Sequence, residues 1–182
     1  VIYLIMGGMI MSEAFRKHGL DRRIAYLLLS KSKNQVHLIF LALMASTWLF
    51  SMWISNTATV ALLVPVAIGI VAKAPEPSRN RLAILFLLGI GMGAAMGGMG
   101  TLVGSAPNAV ASAFLADETT WTFMSWMKLG FPISLILFIG AYFVLRKMAK
   151  VDITRLEIPQ EDIRGSLEKP LSKGAIKTIV IM

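Results

Sequence analysis

Polar and apolar positions in this chain separate into blocks rather than alternating. Residues 36–72, 82–116 and 129–145 hold no Asp, Glu, Lys or Arg, and uncharged apolar runs of that length read as membrane-spanning helices. As one helix, residues 36–72 would be about 55 Å long against a hydrocarbon core of roughly 30 Å, so the segment turns back. Its densest polar cluster, Ser55-Asn56-Thr57, marks the turn, because Ser and Asn side chains bond local backbone and interrupt a helix. The arms on either side suit two full spans with the turn outside, or a re-entrant hairpin whose tip ends at membrane depth. Periodicity leaves both open. Residues 82–116 are also too long for one untilted span and are interrupted by the Gly-rich run 97–108, which predicts a broken helix. Ahead of that break, Gly89, Gly93 and Gly97 recur every fourth residue and line one helix face for a close helix–helix approach.

The flanking charges orient these blocks. Lys31, Lys33, Lys73, Arg79, Arg81, Arg146, Lys147 and Lys150 stand at ends that share one side of the membrane, which the positive-inside rule makes cytoplasmic. Asp117 and Glu118 then fall outside. Residues 1–35 read as the end of a span followed by an interfacial arm with a short helix over 20–29. Residues 36–147 comprise the hairpin (36–72), the broken helix (82–116) and a returning span (121–147). Residues 148–174 are a cytoplasmic connector of mixed charge with Pro159 and Pro170 and a short amphipathic helix around 161–167, and 175–182 start another span. The chain opens inside one apolar run and stops as another begins, as expected of a piece of a larger polytopic protein. The fold class expected is an all-α polytopic membrane protein.

Composition sharpens this picture. Of 182 residues, 56% are hydrophobic and 15% charged, against about 45–50% and 25% in soluble domains, and the mean hydropathy is +0.70. The net charge of +8 comes from cations that flank apolar blocks, so it reports orientation and does not call for nucleic acid. The chain has no cysteine, which removes disulfides, thiolate metal sites and Cys nucleophiles. Charge-free spans argue against proton relays and voltage sensing. Ser51, Ser55 and Ser105 lack a general base apart from a distant His37, so a serine hydrolase is not supported and no enzyme is expected. His18, among Arg16, Lys17 and Arg22, reads as a surface residue.

Two clusters of neutral oxygen donors remain, Ser51 with Ser55-Asn56-Thr57, and Gly100-Thr101 through Gly104-Ser105-Ala106-Pro107-Asn108, each at a predicted helix break. Carbonyls ending one arm, with Ser and Asn oxygens, suit a hard cation such as Na⁺, while the N-terminus of the next helix suits an anion. A plain polar turn between two spans accounts equally well for Ser-Asn-Thr alone.

The string Ser51-Met52-Trp53-Ile54-Ser55-Asn56-Thr57-Ala58-Thr59-Val60, with Leu63-Val64-Pro65-Val66, closely resembles the first hairpin of the divalent anion/sodium symporter family, the dicarboxylate and sulfate sodium symporters. Gly98-Met99-Gly100-Thr101-Leu102-Val103-Gly104-Ser105-Ala106-Pro107-Asn108 resembles the unwound loop of that family's broken fifth helix, and Gly19-Leu20-Asp21-Arg22-Arg23-Ile24-Ala25 extends the likeness over nearly the whole chain. The resemblance implies an inverted-repeat, elevator-type transporter, of which one repeat is present, in the plasma or inner membrane. It implies a homodimer in which a transport domain slides against a scaffold. Carried over residue by residue, it implies sodium bound by Ser51, Ser55, Asn56 and a Gly104 carbonyl. A dicarboxylate, tricarboxylate or sulfate would meet Ser55, Asn56, Thr57, Ser105 and Pro107. The family's Thr-Pro-Pro-Asn is here Ser105-Ala106-Pro107-Asn108, which keeps a hydroxyl and loses one proline. Sodium is the coupling ion implied, and no organic cofactor is. Two alternatives stay open: a related arsenite-type anion efflux permease, and a membrane scaffold subunit that does not transport.

Overall fold

The computed structural model describes residues 34–118 and 122–149, together with Ile10, Lys17, Ser32, Arg155 and Leu156. Five helices occupy the two continuous stretches: α1 (Val36–Ser51), α2 (Asn56–Val71), α3 (Glu76–Gly100), α4 (Ala106–Glu118) and α5 (Phe123–Ala149). The helices expected over 20–29 and 161–167 lie outside the described residues.

The 36–72 segment folds as a helical hairpin, but its turn comes earlier than the Ser-Asn-Thr cluster suggested. Asn56 and Thr57 already belong to α2. Ser55 is the residue that starts the second arm. Its hydroxyl accepts from Ala58 N–H at 3.3 Å, a first-turn donor with no partner inside the helix, and its carbonyl accepts the first helical bond, from Thr59 N–H at 3.0 Å, which makes it the N-cap. Each arm has 16 residues, or about 24 Å at 1.5 Å per residue, short of a hydrocarbon core of roughly 30 Å. Among the described residues, two helices are long and apolar enough to cross a membrane, α3 and α5. Inside the apolar first arm, Ser46 and Thr47 donate to the carbonyls of Ala42 and Leu43, so these buried hydroxyls need no outside partner.

The break after α3 is shorter than the Gly-rich run. Gly97 to Gly100 remain helical, residues 101–105 are irregular, and α4 starts with Ala106-Pro107. Proline fits there because first-turn N–H groups lack helical acceptors anyway.

The glycine stripe fixes how α1 meets α3. A Cβ on Gly89 would strike the Phe40 ring, one on Gly93 would lie 2.7 Å from the Met44 carbonyl oxygen, and one on Gly97 would strike the Trp48 carbonyl. Residues 40, 44 and 48 thus meet 89, 93 and 97 in the same order, so α1 and α3 run parallel with their backbones in close approach. α5 returns antiparallel against both. Tyr142 stacks on Phe40 (5.5 Å between centroids), while Phe138 and Phe131 pack on Trp48 at 5.3 and 5.6 Å. Phe40, Leu43, Met44, Leu63, Leu82, Phe86 and Ile90 are fully buried in the resulting core. The far side of α5 shows large apolar side chains such as Ile136, Phe143 and Met148, a surface suited to lipid or to further helices rather than to water.

These directions gather Lys73, Arg79, Arg81, Arg146, Lys147 and Arg155 at one end. Arg79 pairs with Glu76 at 2.5 Å and donates to the carbonyls of Ala72 and Ala74, which closes the exit of the hairpin. Leu156 N–H donates to Asn34 O at 2.8 Å and Arg155 bridges Gln35, so the chain leaving α5 passes the start of α1.

Candidate functional site

The end of α1, the start of α2 and the break between α3 and α4 meet at one place. Ser51 is fully buried, with Oγ 2.7 Å from the Ala94 carbonyl oxygen and 2.5 Å from Asn56 Oδ1. The hydroxyl carries one proton and donates to one of these oxygens at a time. Lone pairs therefore outnumber protons around Ser51.

Gly98 and Gly104 bring backbone into the same place. The Asn56 amide lies against Gly98, where any Cβ would collide with it. A Cβ on Gly104 would stand 2.7 Å from the carbonyl oxygens of both Gly98 and Ser51. Ser51 ends α1, so its carbonyl is among those without a helical partner. Ser51 Oγ, Asn56 Oδ1 and the carbonyls of Ser51, Ala94 and Gly98 thus form a cluster of neutral oxygens. Among the described residues no group of three or more His, Cys, Asp or Glu is placed to hold a metal ion, so any cation here meets hydroxyl, amide and carbonyl oxygen.

Two residues outside the sequence-derived set hold the break in shape. The buried Thr101 donates to Met52 O at 2.5 Å and accepts from Gly104 N–H at 3.1 Å, tying the loop to the hairpin turn. Buried Asn108 donates through Nδ2 to Gly98 O at 2.7 Å and Thr101 O at 2.8 Å, bridging the end of α3 to the start of α4. In the sequence both are simply members of an oxygen-rich run. Trp126 and Ser134, which also contact the end of α3, carry only the weak signal of an i, i+8 spacing with Gly130 between them.

Ser51, Asn56 and Gly104, expected at the sodium site, are brought together. Ser55 is exposed and engaged as the N-cap of α2, Thr57 and Pro107 are exposed, and Ser105 is half-buried, its carbonyl accepting from Asn108 N–H at 3.1 Å. These four stand around the oxygen cluster, at the N-terminal ends of α2 and α4, where free N–H groups and the positive ends of the helix dipoles gather.

A hairpin and a broken helix whose ends meet over uncharged oxygens, carried on apolar spans, define an integral membrane protein of the transporter class. The citrate transporter family model matches residues 1–177, and the chain belongs to that family. The likeness to the sodium-coupled dicarboxylate symporters stands with it. The chain is 38% identical over 172 residues to an uncharacterised transporter of Methanocaldococcus jannaschii, covering 92% of this chain and 36% of the relative. It is 36% identical over 149 residues to an uncharacterised transporter of Haemophilus influenzae, covering 80% and 32%. It is 30% identical over 183 residues to the sodium-dependent dicarboxylate transporter SdcS of Staphylococcus saprophyticus, covering 93% and 35%. The chain therefore spans about a third of the length of these curated relatives, which are transporters rather than enzymes.

Proposed function

We propose that this chain is the first half of the binding unit of a sodium-coupled secondary transporter for small divalent anions, of the dicarboxylate, tricarboxylate or sulfate kind. The observation that carries the reading is the surplus of neutral oxygen around Ser51, Asn56 and Gly104, which suits a hard monovalent cation. The sodium-dependent dicarboxylate transporter among the relatives supports the choice of ion and substrate class. The depth of the cluster supports a re-entrant hairpin. Gly130 of α5 packs against Met99, about 10 Å from the start of α5 and about 28 Å from its end at 1.5 Å per residue.

Sodium binds beside the ends of α1 and α3, where carbonyl dipoles point outward. The anion binds next to it, against the N-termini of α2 and α4 and the side chains of Ser55, Asn56, Thr57 and Ser105, with Pro107 shaping the wall. With no Arg or Lys in the cluster, the ion supplies the countercharge. A pair of unit charges at ~6 Å and an effective dielectric of ~20 attract by roughly 3 kcal/mol, about a hundredfold in affinity. Sodium therefore loads first and makes the site competent for the anion, which couples the two fluxes. In the complete protein the unit of residues 36–147 moves against a scaffold in a homodimer, carrying the occupied site across the plasma or inner membrane.

Replacing Asn56 by Ala in the complete protein removes one oxygen ligand. The expected outcome is a loss of sodium-dependent uptake of at least about tenfold at low sodium, as for loss of a charged-group contact of 1.5–3 kcal/mol. Uptake equal to wild type at low sodium overturns the assignment.

A further inference from the structure

The final turn of α3 carries Gly97, Gly98 and Gly100. It has little side-chain packing of its own, and glycine leaves its backbone more freedom than any other residue would. Its last carbonyls also lack helical N–H partners because the helix stops at Thr101. Yet this turn presents Gly98 O beside Gly104 and Asn56, and ligand constellations need their atoms held to within about 0.5 Å. Something outside α3 has to hold it.

Asn108 takes one carbonyl, and α5 takes others through one stripe. Trp126 Nε1–H donates to Met99 O at 3.1 Å. One turn later, Gly130 lets the two helices close, since a Cβ there would lie 2.7 Å from Met99 O and 2.9 Å from Trp126 Nε1. Two turns later, fully buried Ser134 donates to Met96 O at 2.6 Å while accepting from Trp48 Nε1–H at 2.7 Å. Trp48 lies on α1, three residues before Ser51. The single proton of Ser134 is thus committed to α3 and its acceptor capacity to α1, so one hydroxyl fixes the two arms that carry the oxygen cluster relative to each other.

We infer that Trp126 and Ser134 of α5 are positioning residues for the cation site, holding the glycine-rich end of α3 so that its carbonyls face Ser51 and Asn56. The inference rests on the sodium reading above and extends it to a helix that contributes no ligand. Removing either donor lets the turn relax, which weakens the ion while leaving the anion's own contacts in place.

The test is transport by the complete protein in proteoliposomes, with sodium titrated at saturating substrate and substrate titrated at saturating sodium. Ser134→Ala and Trp126→Phe are expected to raise the sodium concentration for half-maximal uptake about fivefold, the size of one ordinary hydrogen bond. The substrate KM at saturating sodium is expected to stay within about twofold of wild type. Ser134→Thr, which keeps the hydroxyl, is expected to restore the sodium response. Trp126 lies near the end of the helix, so its replacement spares the core and gives a reading even where the buried Ser134→Ala variant fails to assemble. Wild-type sodium dependence in both Ala and Phe variants overturns the inference while the sodium reading stands, as does a Thr variant that behaves like Ala. Wild-type uptake that ignores sodium overturns the sodium reading and the positioning role together.

Discussion

At the residue scale, the same amino acid does different work according to what its missing Cβ faces. Gly93 sits against the Met44 backbone carbonyl, while Gly91, two residues away, has no neighbouring atom within 4 Å of a Cβ. Gly93→Ala is expected to destabilise the complete protein by about 1–3 kcal/mol, because backbone cannot move aside as a side-chain tip can. Gly91→Ala is expected to be neutral or stabilising by up to about 1 kcal/mol, since alanine stiffens the helix at no steric cost. Thermal melting of the purified variants checks both, and equal melting points would mean that the α1–α3 approach is looser than described. Ser51 shows the same dependence on surroundings. The sequence names it as a sodium ligand only through the family resemblance, whereas its burial between Ala94 and Asn56 puts it at the centre of the oxygen cluster.

At the element scale, the hairpin is the unit to test. Its arms of 16 residues fall short of a bilayer by about 6 Å each, which suits a tip that ends inside the protein. Thr57 is exposed in the first turn of α2, beside the oxygen cluster. In a cysteine-free background of the complete protein, Thr57→Cys is expected to react with a small polar maleimide more slowly when sodium and substrate are both present. Labelling at one rate from outside, whatever the ligands, points instead to two plain spans with an external turn. Much of this element was legible beforehand. Its length forced a reversal, and Ser55 placed it to within a few residues. The turn at 52–55 was not legible, because Ser55 acts through its hydroxyl and carbonyl on residues after it, so the polar cluster opens the second arm instead of forming the bend.

At the scale of the whole molecule, the parallel α1–α3 pair and the returning α5 collect Lys73, Arg79, Arg81, Arg146 and Lys147 at one end, while Lys128 lies toward the other, near Met124 at the start of α5. On the positive-inside rule the Lys73 end is expected to be the cytoplasmic one. Single cysteines at Lys73 and Met124 are therefore expected to react with an impermeant reagent from opposite faces of the membrane, Lys73→Cys from the cytoplasm. Reaction of both from one face would overturn the topology. The apolar outer face of α5 belongs to this scale as well, since roughly two thirds of the relatives' length lies beyond the part this chain matches.

The sequence by itself determined the class of protein, the number of apolar blocks, and the two blocks in which a helix had to be interrupted. These follow from chain length against bilayer thickness and from where charges are absent, both of which are one-dimensional quantities. The resemblance put Ser51, Asn56 and Gly104 at one site, but only the tertiary structure decided that they meet beside the carbonyls of Ala94 and Gly98, that Thr101 and Asn108 hold the loop, and that Trp48, Trp126 and Ser134 bind the end of α3 from the side. Hydrogen bonds between residues 27 to 86 positions apart depend on how helices pack against one another. The glycine stripe permits that packing, but its spacing alone does not say which helix will fill it.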